Sequence, residues 1–178
     1  SFVFGGPPCR TFSDSRSVRP GPPVLRDWSY VYGFPAEQAS IYGLSYSDLQ
    51  KIETDNVLAE RMAHTCDIMM RLDKGFAVEQ PFSWRGNPSM FEFESFKELS
   101  RRGATSTRFD QCMYDGMTTK PTMILSSGAN FAVLNAKCNH GKGAHPSIVG
   151  CKDENGIFKT RAMAAYPGDL NRRLAEIM

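Results

Sequence analysis

Cys9 and Glu79 are the residues whose neighbours most clearly prepare them for chemistry. Cys9 ends the run Gly5-Gly6-Pro7-Pro8-Cys9, directly after the apolar Ser1-Phe2-Val3-Phe4. That apolar run reads as a short buried strand. Proline cannot continue a ladder and glycine permits a sharp turn, so the strand stops and Cys9 falls in a rigid loop past its C-terminal end. A thiolate rather than a thiol is the nucleophile, and Arg10 and Arg16 are placed to lower the pKa of Cys9. Glu79 closes a second strand, Phe76-Ala77-Val78-Glu79, cut off at Pro81. A buried inert thiol and a capping or ion-paired carboxylate are the structural alternatives for the two residues.

A second group lies in the stretch 138–151. Cys138, His140, His145 and Cys151 offer two thiols and two imidazoles, the donor set of a tetrahedral zinc. The spacing matches no standard finger, and an ordinary polar loop is the competing reading. His64 falls within a helical pattern and reads as a surface or core histidine.

The elements that must position Cys9 and Glu79 follow from periodicity. Asp55 or Asn56 can cap a helix over 56–74. Leu58, Met62, Thr65, Met69 and Leu72 share one face of it, and Gly75 stops it. Strand, loop, helix, strand in that order predicts a right-handed crossover between parallel strands. Parallel strands end on one edge of the sheet, where open α/β sheets bind ligands. The thiol and the carboxylate are therefore expected on one rim. Residues 10–54, rich in Ser, Pro, Arg and Tyr, are expected to form mainly ordered loop, with Arg19-Pro20-Gly21-Pro22-Pro23 as loop by composition and a helical turn or two over 25–32. A helical start is expected at 46–49, a helix over 91–102 and a strand or turn over 109–114. Pro121-Thr122-Met123-Ile124-Leu125 should form a strand, 130–138 a short helix or turn, 139–156 a glycine-rich loop, and 159–178 a helical end.

The residues around Cys9 resemble the catalytic loop of the cytosine-C5 DNA methyltransferases, in which a Gly-Pro-Pro-Cys turn carries the nucleophile; Arg10 stands where that family usually has glutamine. Phe76-Ala77-Val78-Glu79-Gln80-Pro81 is similar to the family's strand ending in Glu-Asn. Asp110-Gln111-Cys112-Met113-Tyr114-Asp115-Gly116 followed by Lys120-Pro121-Thr122 resembles its Tyr-Gly segment and the Arg-x-Arg strand after it. The resemblance spans about residues 1–126 and implies a methyltransferase-like catalytic half there, with 127–178 as a C-terminal loop and helix extension. It implies an α/β fold, a partial Rossmann-like sheet with flanking helices and long loops. It implies that Cys9 attacks C6 of a flipped-out cytosine while Glu79 contacts N3 and the exocyclic amine. Lys120 and Thr122 would stand for the two arginines, although a threonine cannot replace a guanidinium fork. Pro7, Pro8, Arg10, Ser13 and Gln80 would line the base site. The family's methyl donor is S-adenosylmethionine. Its Phe-x-Gly-x-Gly turn is not in this sequence, so the donor-binding half is expected upstream of Ser1 or on another polypeptide, and the chain as given should not transfer methyl groups alone.

With 178 residues, 41% hydrophobic and 22% charged, the composition is that of an ordinary folded chain. The net charge of +2 neither demands nor excludes DNA. Arg101, Arg102, Arg108, Arg161, Arg172 and Arg173 are candidates for phosphate contacts. The Pro/Tyr/Arg stretch 19–46, with Phe82 and Trp84, is a candidate partner surface. No apolar run reaches the roughly 18 residues of a membrane span. Five cysteines in no framework spacing favour free thiols in a reducing compartment, nuclear or organellar. The alternative to an enzyme is a methyltransferase-derived structural subunit of a larger assembly that has kept the fold without the chemistry.

Overall fold

The computed structural model describes residues 1–18, 21–83 and 85–178; Arg19, Pro20 and Trp84 lie outside that set. Strand β1 (Phe2–Gly5) leads through a long loop to helix α1 (Tyr46–Arg71), then strand β2 (Gly75–Pro81), helix α2 (Glu94–Arg101), strands β3 (Thr105–Asp110) and β4 (Pro121–Ser127), and helix α3 (Gly168–Ile177). The sheet order is β1-β2-β4-β3. β1 pairs parallel with β2 across the α1 crossover, while β4 runs antiparallel to both β2 and β3. The class is α/β, and the sheet is mixed: among the described residues, parallel pairing occurs at its β1 edge alone.

α1 joins the helical start expected at 46–49 to the helix expected over 56–74 in one continuous helix. Its N-cap is Ser45. The Ser45 hydroxyl accepts from the Asp48 N–H, and the Asp48 carboxylate accepts from the Ser45 N–H at 3.2 Å. This capping box satisfies two otherwise orphaned donors. Asp55 and Asn56, expected as caps, lie inside the helix. The buried stripe overlaps the expected face only in part: Ile52, Asp55, Ala59, Ala63 and Cys66 are buried, Met62 and Met69 of the expected face pack against the same core, and Leu58 and Leu72 are exposed. Small side chains let the helix approach the sheet closely. A side chain at Gly5 would meet the flexible end of Met62, which would have to move aside where β1 passes under α1.

Burial alone would push the Asp48 carboxyl up, but hydrogen bonds from Ser45 and Lys51 win and hold it down at about 2. A carboxyl depressed in the folded state stabilises at neutral pH, and that contribution fades as pH falls from its ordinary 3.8 towards about 2. Ser45→Ala is expected to cost about 1 kcal/mol in urea denaturation at pH 7. The difference should shrink at pH 2.

One face of the sheet packs Phe76, Val78 and Leu125 against α1, α2 and the loop residue Phe12. The other packs Ala77, Phe109 and Ile124 against Phe131, Leu134 and the α3 residues Leu170 and Leu174. The C-terminal segment therefore covers the second face of the same sheet. Of the other expected elements, 25–32 forms turns and no helix, 91–102 is a 3₁₀ turn (Met90–Glu92) plus α2, and 130–138 contains the 3₁₀ turn Phe131–Leu134. The segment 159–178 divides into a 3₁₀ helix, Lys159–Ala164, and α3.

Candidate functional site

The rim expected from the sequence is present. β1 and β2 are neighbours, with Gly5 opposite Val78, so the Cys9 loop and Glu79 leave the sheet at the same edge. Both residues line one cleft of about 1150 Å³, together with Pro7, Pro8, Arg10, Ser13, Lys120, Arg161 and Tyr166. That is roomy for a nucleotide-sized ligand, since sites for small molecules typically measure roughly 300–1,000 Å³.

The Cys9 loop is fixed from two sides. Residues 10 and 11 are held by α1: Arg10 and Thr11 both donate to Asp55, at 3.0 and 2.8 Å. From the sheet, Gln80 Nε2 donates to the Pro7 carbonyl at 3.2 Å. Ser13 caps the short 3₁₀ turn Asp14–Ser17. Asp14 accepts from Ser83 Oγ and from the Arg85 N–H just beyond β2.

Arg10 and Arg16 do not activate the thiol as expected. Arg10 is paired with Asp55 and Arg16 with Asp48. The cation that acts on Cys9 is Lys120. Burial and the negative charge of Glu79 push the Cys9 thiol up, and Lys120 opposes them only in part. Lys120 sits at φ +31, unusual for a residue with a side chain. Its carbonyl accepts from the Thr122 hydroxyl at 3.0 Å and from the Gln111 N–H. Thr122, carried over as a catalytic residue, is fully buried, does not line the cleft, and holds the Lys120 turn in place.

Glu79 is nine-tenths buried. Burial raises its pKa, opposed by Lys120 and by a hydrogen bond from Tyr166. Its Oε1 has no hydrogen-bond partner among the described residues. Tyr166, whose own phenol is pushed up by burial and by Glu79, comes from the C-terminal segment. Its ring stacks edge-on against Phe4, and the Lys120 ammonium lies 5.5 Å from the ring centre. Tyr166 was not apparent from the sequence, because nothing local to 159–178 points to β2. The arrangement brings together a thiol, a desolvated carboxyl with a free oxygen, an ammonium and a phenol. It can add sulfur to an electrophilic carbon and deliver a proton to a nearby ring nitrogen.

The Cys/His group is real but differently composed. Cys112, Cys138, His140 and His145 place their ligand atoms within 4.8 Å of one another. Cys151 was expected there; instead it is exposed and donates to the Ser147 carbonyl at 3.4 Å. Cys112 replaces it, from the 3₁₀ turn Gln111–Tyr114 directly after β3. Hydrogen bonds from His140 and His145 pull the Cys138 thiol down to about 6, while burial pushes the Cys112 thiol up, so Cys138 loses its proton first. These four residues can hold a metal ion.

Most of the arginines singled out for phosphate are engaged in ion pairs: Arg101 with Glu94 and Glu98, Arg102 with Asp67, and Arg172 and Arg173 with Asp169. Arg108 stacks over Phe82 at 3.9 Å. Arg161 remains at the cleft. No helix among the described residues is long and apolar enough to cross a membrane. No protein-family profile matches the chain, and searches of curated proteins and of solved structures found no match either.

Proposed function

We propose that the cleft activates a cytosine for substitution at C5, with Cys9 as nucleophile and Glu79 as proton donor. The observation that carries this reading is the juxtaposition of the two side chains, delivered to one cleft by adjacent parallel strands, with burial raising the pKa of Glu79 and so making it a better proton donor than an exposed carboxylate. The base must leave a duplex to enter such a cleft, or be offered in a single strand. The Cys9 sulfur then bonds to C6. The C5=C6 electron pair forms C4=C5, and the former C4=N3 pair takes the Glu79 proton at N3. C5 becomes an enamine carbon, which is covalent activation of a poor nucleophile. Lys120 offsets the negative charge of the thiolate before attack. S-adenosylmethionine would supply the methyl group in the complete reaction. The addition step needs none, so it can be tested on these residues alone.

The test uses a single-stranded oligonucleotide containing 2-pyrimidinone, which lacks the exocyclic amine and is more electrophilic at C6. A covalent adduct of equimolar mass, mapped to the Cys9 peptide, is expected, and Cys9→Ser should give none. Failure of the wild-type chain to form any adduct over hours sinks the proposal.

One observation favours a second reading, an assembly subunit that has kept the fold alone. Burial raises the Cys9 thiol where an activated cysteine would be lowered. On that reading Cys9→Ala is silent and the chain co-purifies with a large complex.

A further inference from the structure

We propose that Cys112, Cys138, His140 and His145 bind one zinc ion, and that this ion clamps the 139–150 loop into place as a wall of the cleft. The inference is independent of the cytosine chemistry. A tetrahedral zinc with bonds of about 2.3 Å to sulfur and about 2.0 Å to nitrogen spaces its ligand atoms about 3.3–3.8 Å apart. Cys138 Sγ lies 3.4 Å from His140 Nδ1 and 3.2 Å from His145 Nε2, and all four ligand atoms fall within 4.8 Å. Two thiolates and two imidazoles in that arrangement select zinc among the divalent ions of ordinary cells. The spread fits a single ion and is too small for a bridged two-iron cluster. The Cys-x-His spacing, too tight for Nε2 chelation, is accommodated because His140 presents Nδ1, the nitrogen nearer its backbone.

The frame behind the ligands is already rigid. Cys112 is buried at the end of β3. Asp110 binds the other strap twice: its N–H donates to the Ala136 carbonyl at 2.8 Å, and its carboxylate accepts from the Cys138 N–H at 2.7 Å. This places Cys138 against Cys112 whether or not an ion is present. Residues 139–150 have no such support. Most are exposed, and among the described residues their hydrogen bonds are all local to 138–151. Yet His145, Pro146, Ile148 and Val149 line the cleft that holds Cys9 and Glu79. A metal bond at His140 and another at His145 would tie this loop to the sheet.

The full chain, purified without chelator under reducing conditions, is expected to contain one zinc per molecule by elemental analysis. Replacement with cobalt(II) should give the intense visible bands of a tetrahedral ion and a thiolate-to-cobalt charge-transfer band. Cys112→Ser should weaken that band and raise the cobalt Kd at least tenfold, which is about 1.4 kcal/mol. His140→Asn, at an exposed position, should weaken binding likewise and guards against misfolding of the Cys112 variant. Cys151→Ser should leave the spectrum unchanged. No stoichiometric metal, or a dependence on Cys151 instead of Cys112, overturns the site. Chelation is expected to speed amide hydrogen exchange across 139–150 while leaving β2 and β4 protected. Unchanged exchange in that loop after the metal has left overturns the clamp.

Discussion

Asp55→Ala is expected to destabilise the chain by about 3–5 kcal/mol, the cost of leaving a buried charge without its partner. The visible ion pair with Arg10 is not the reason. The Arg10 side chain is half exposed, and such pairs contribute little, about 0–1 kcal/mol. The cost comes from Arg26, which is 1% exposed and stacks over Phe12 at 3.8 Å. Its guanidinium donates to the Thr11 carbonyl at 3.1 Å and to the Thr11 hydroxyl at 2.9 Å, and that hydroxyl donates in turn to Asp55. Burial pulls the Arg26 pKa down to about 10, and Asp55 opposes that pull. Removing the carboxylate leaves the buried cation with neutral acceptors only: the carbonyl and hydroxyl of Thr11, the Val31 carbonyl at 2.8 Å and Asn56 Oδ1 at 3.2 Å. Arg26→Met combined with Asp55→Ala should therefore be less damaging than Asp55→Ala alone, because both charges then leave together. Urea denaturation of the three variants decides it; a loss below about 1 kcal/mol for Asp55→Ala would rule out the network. The same substitution releases residues 10 and 11, which flank the nucleophile. Adduct formation at Cys9 should then slow about a hundredfold even in molecules that remain folded, the effect of a misplaced reacting group.

The rim was legible because its signals are local. Gly-Gly-Pro-Pro after an apolar run and Pro81 after Phe-Ala-Val-Glu mark two strand ends, and the helical period between them implies parallel neighbours. The helix itself was visible but misread. Its start at 46–49 was expected but read as separate from it, because the stretch between is polar, and its buried stripe includes Ala59, Ala63 and Cys66 while Leu58 and Leu72 point outward. Propensity and hydropathy rank the wrong face when close approach to a strand demands small side chains. The direction of β4 was not legible. It depends on pairing with β2 and β3, and the long connection over 111–120 carries no tight-turn signature. Lys120 was found by resemblance, and its ammonium opposes the upward shift of the Cys9 thiol. Tyr166 and Cys112 were missed for one reason. Each reaches its partners only through tertiary packing, Tyr166 by the docking of the C-terminal segment on the second sheet face and Cys112 by the Asp110 strap. Cys151, near in sequence to the two histidines, is not part of their cluster in the fold.

Glu79→Gln is expected to slow adduct formation at neutral pH by about a hundred- to a thousandfold, the usual effect of removing one group that stabilises developing charge. Its pH profile is the sharper test. The reactive form is the thiolate with the carboxylic acid. Burial raises both groups, Glu79 above its ordinary 4.5 and Cys9 above 9.0. Between the two titrations the dominant form is thiol with carboxylate, and the reactive form differs from it only by moving one proton from Cys9 to Glu79. The population of that tautomer does not change with pH. The rate should rise with pH up to the Glu79 titration, stay level between the two titrations, and fall once Cys9 has titrated and no acid remains. Glutamine retains a hydrogen bond to N3 but has no proton to exchange. The rate of the Glu79→Gln protein should climb about tenfold per pH unit up to the Cys9 titration and level off only above it. A plateau in the variant like that of the wild type would mean that Glu79 shapes the cleft without donating the proton.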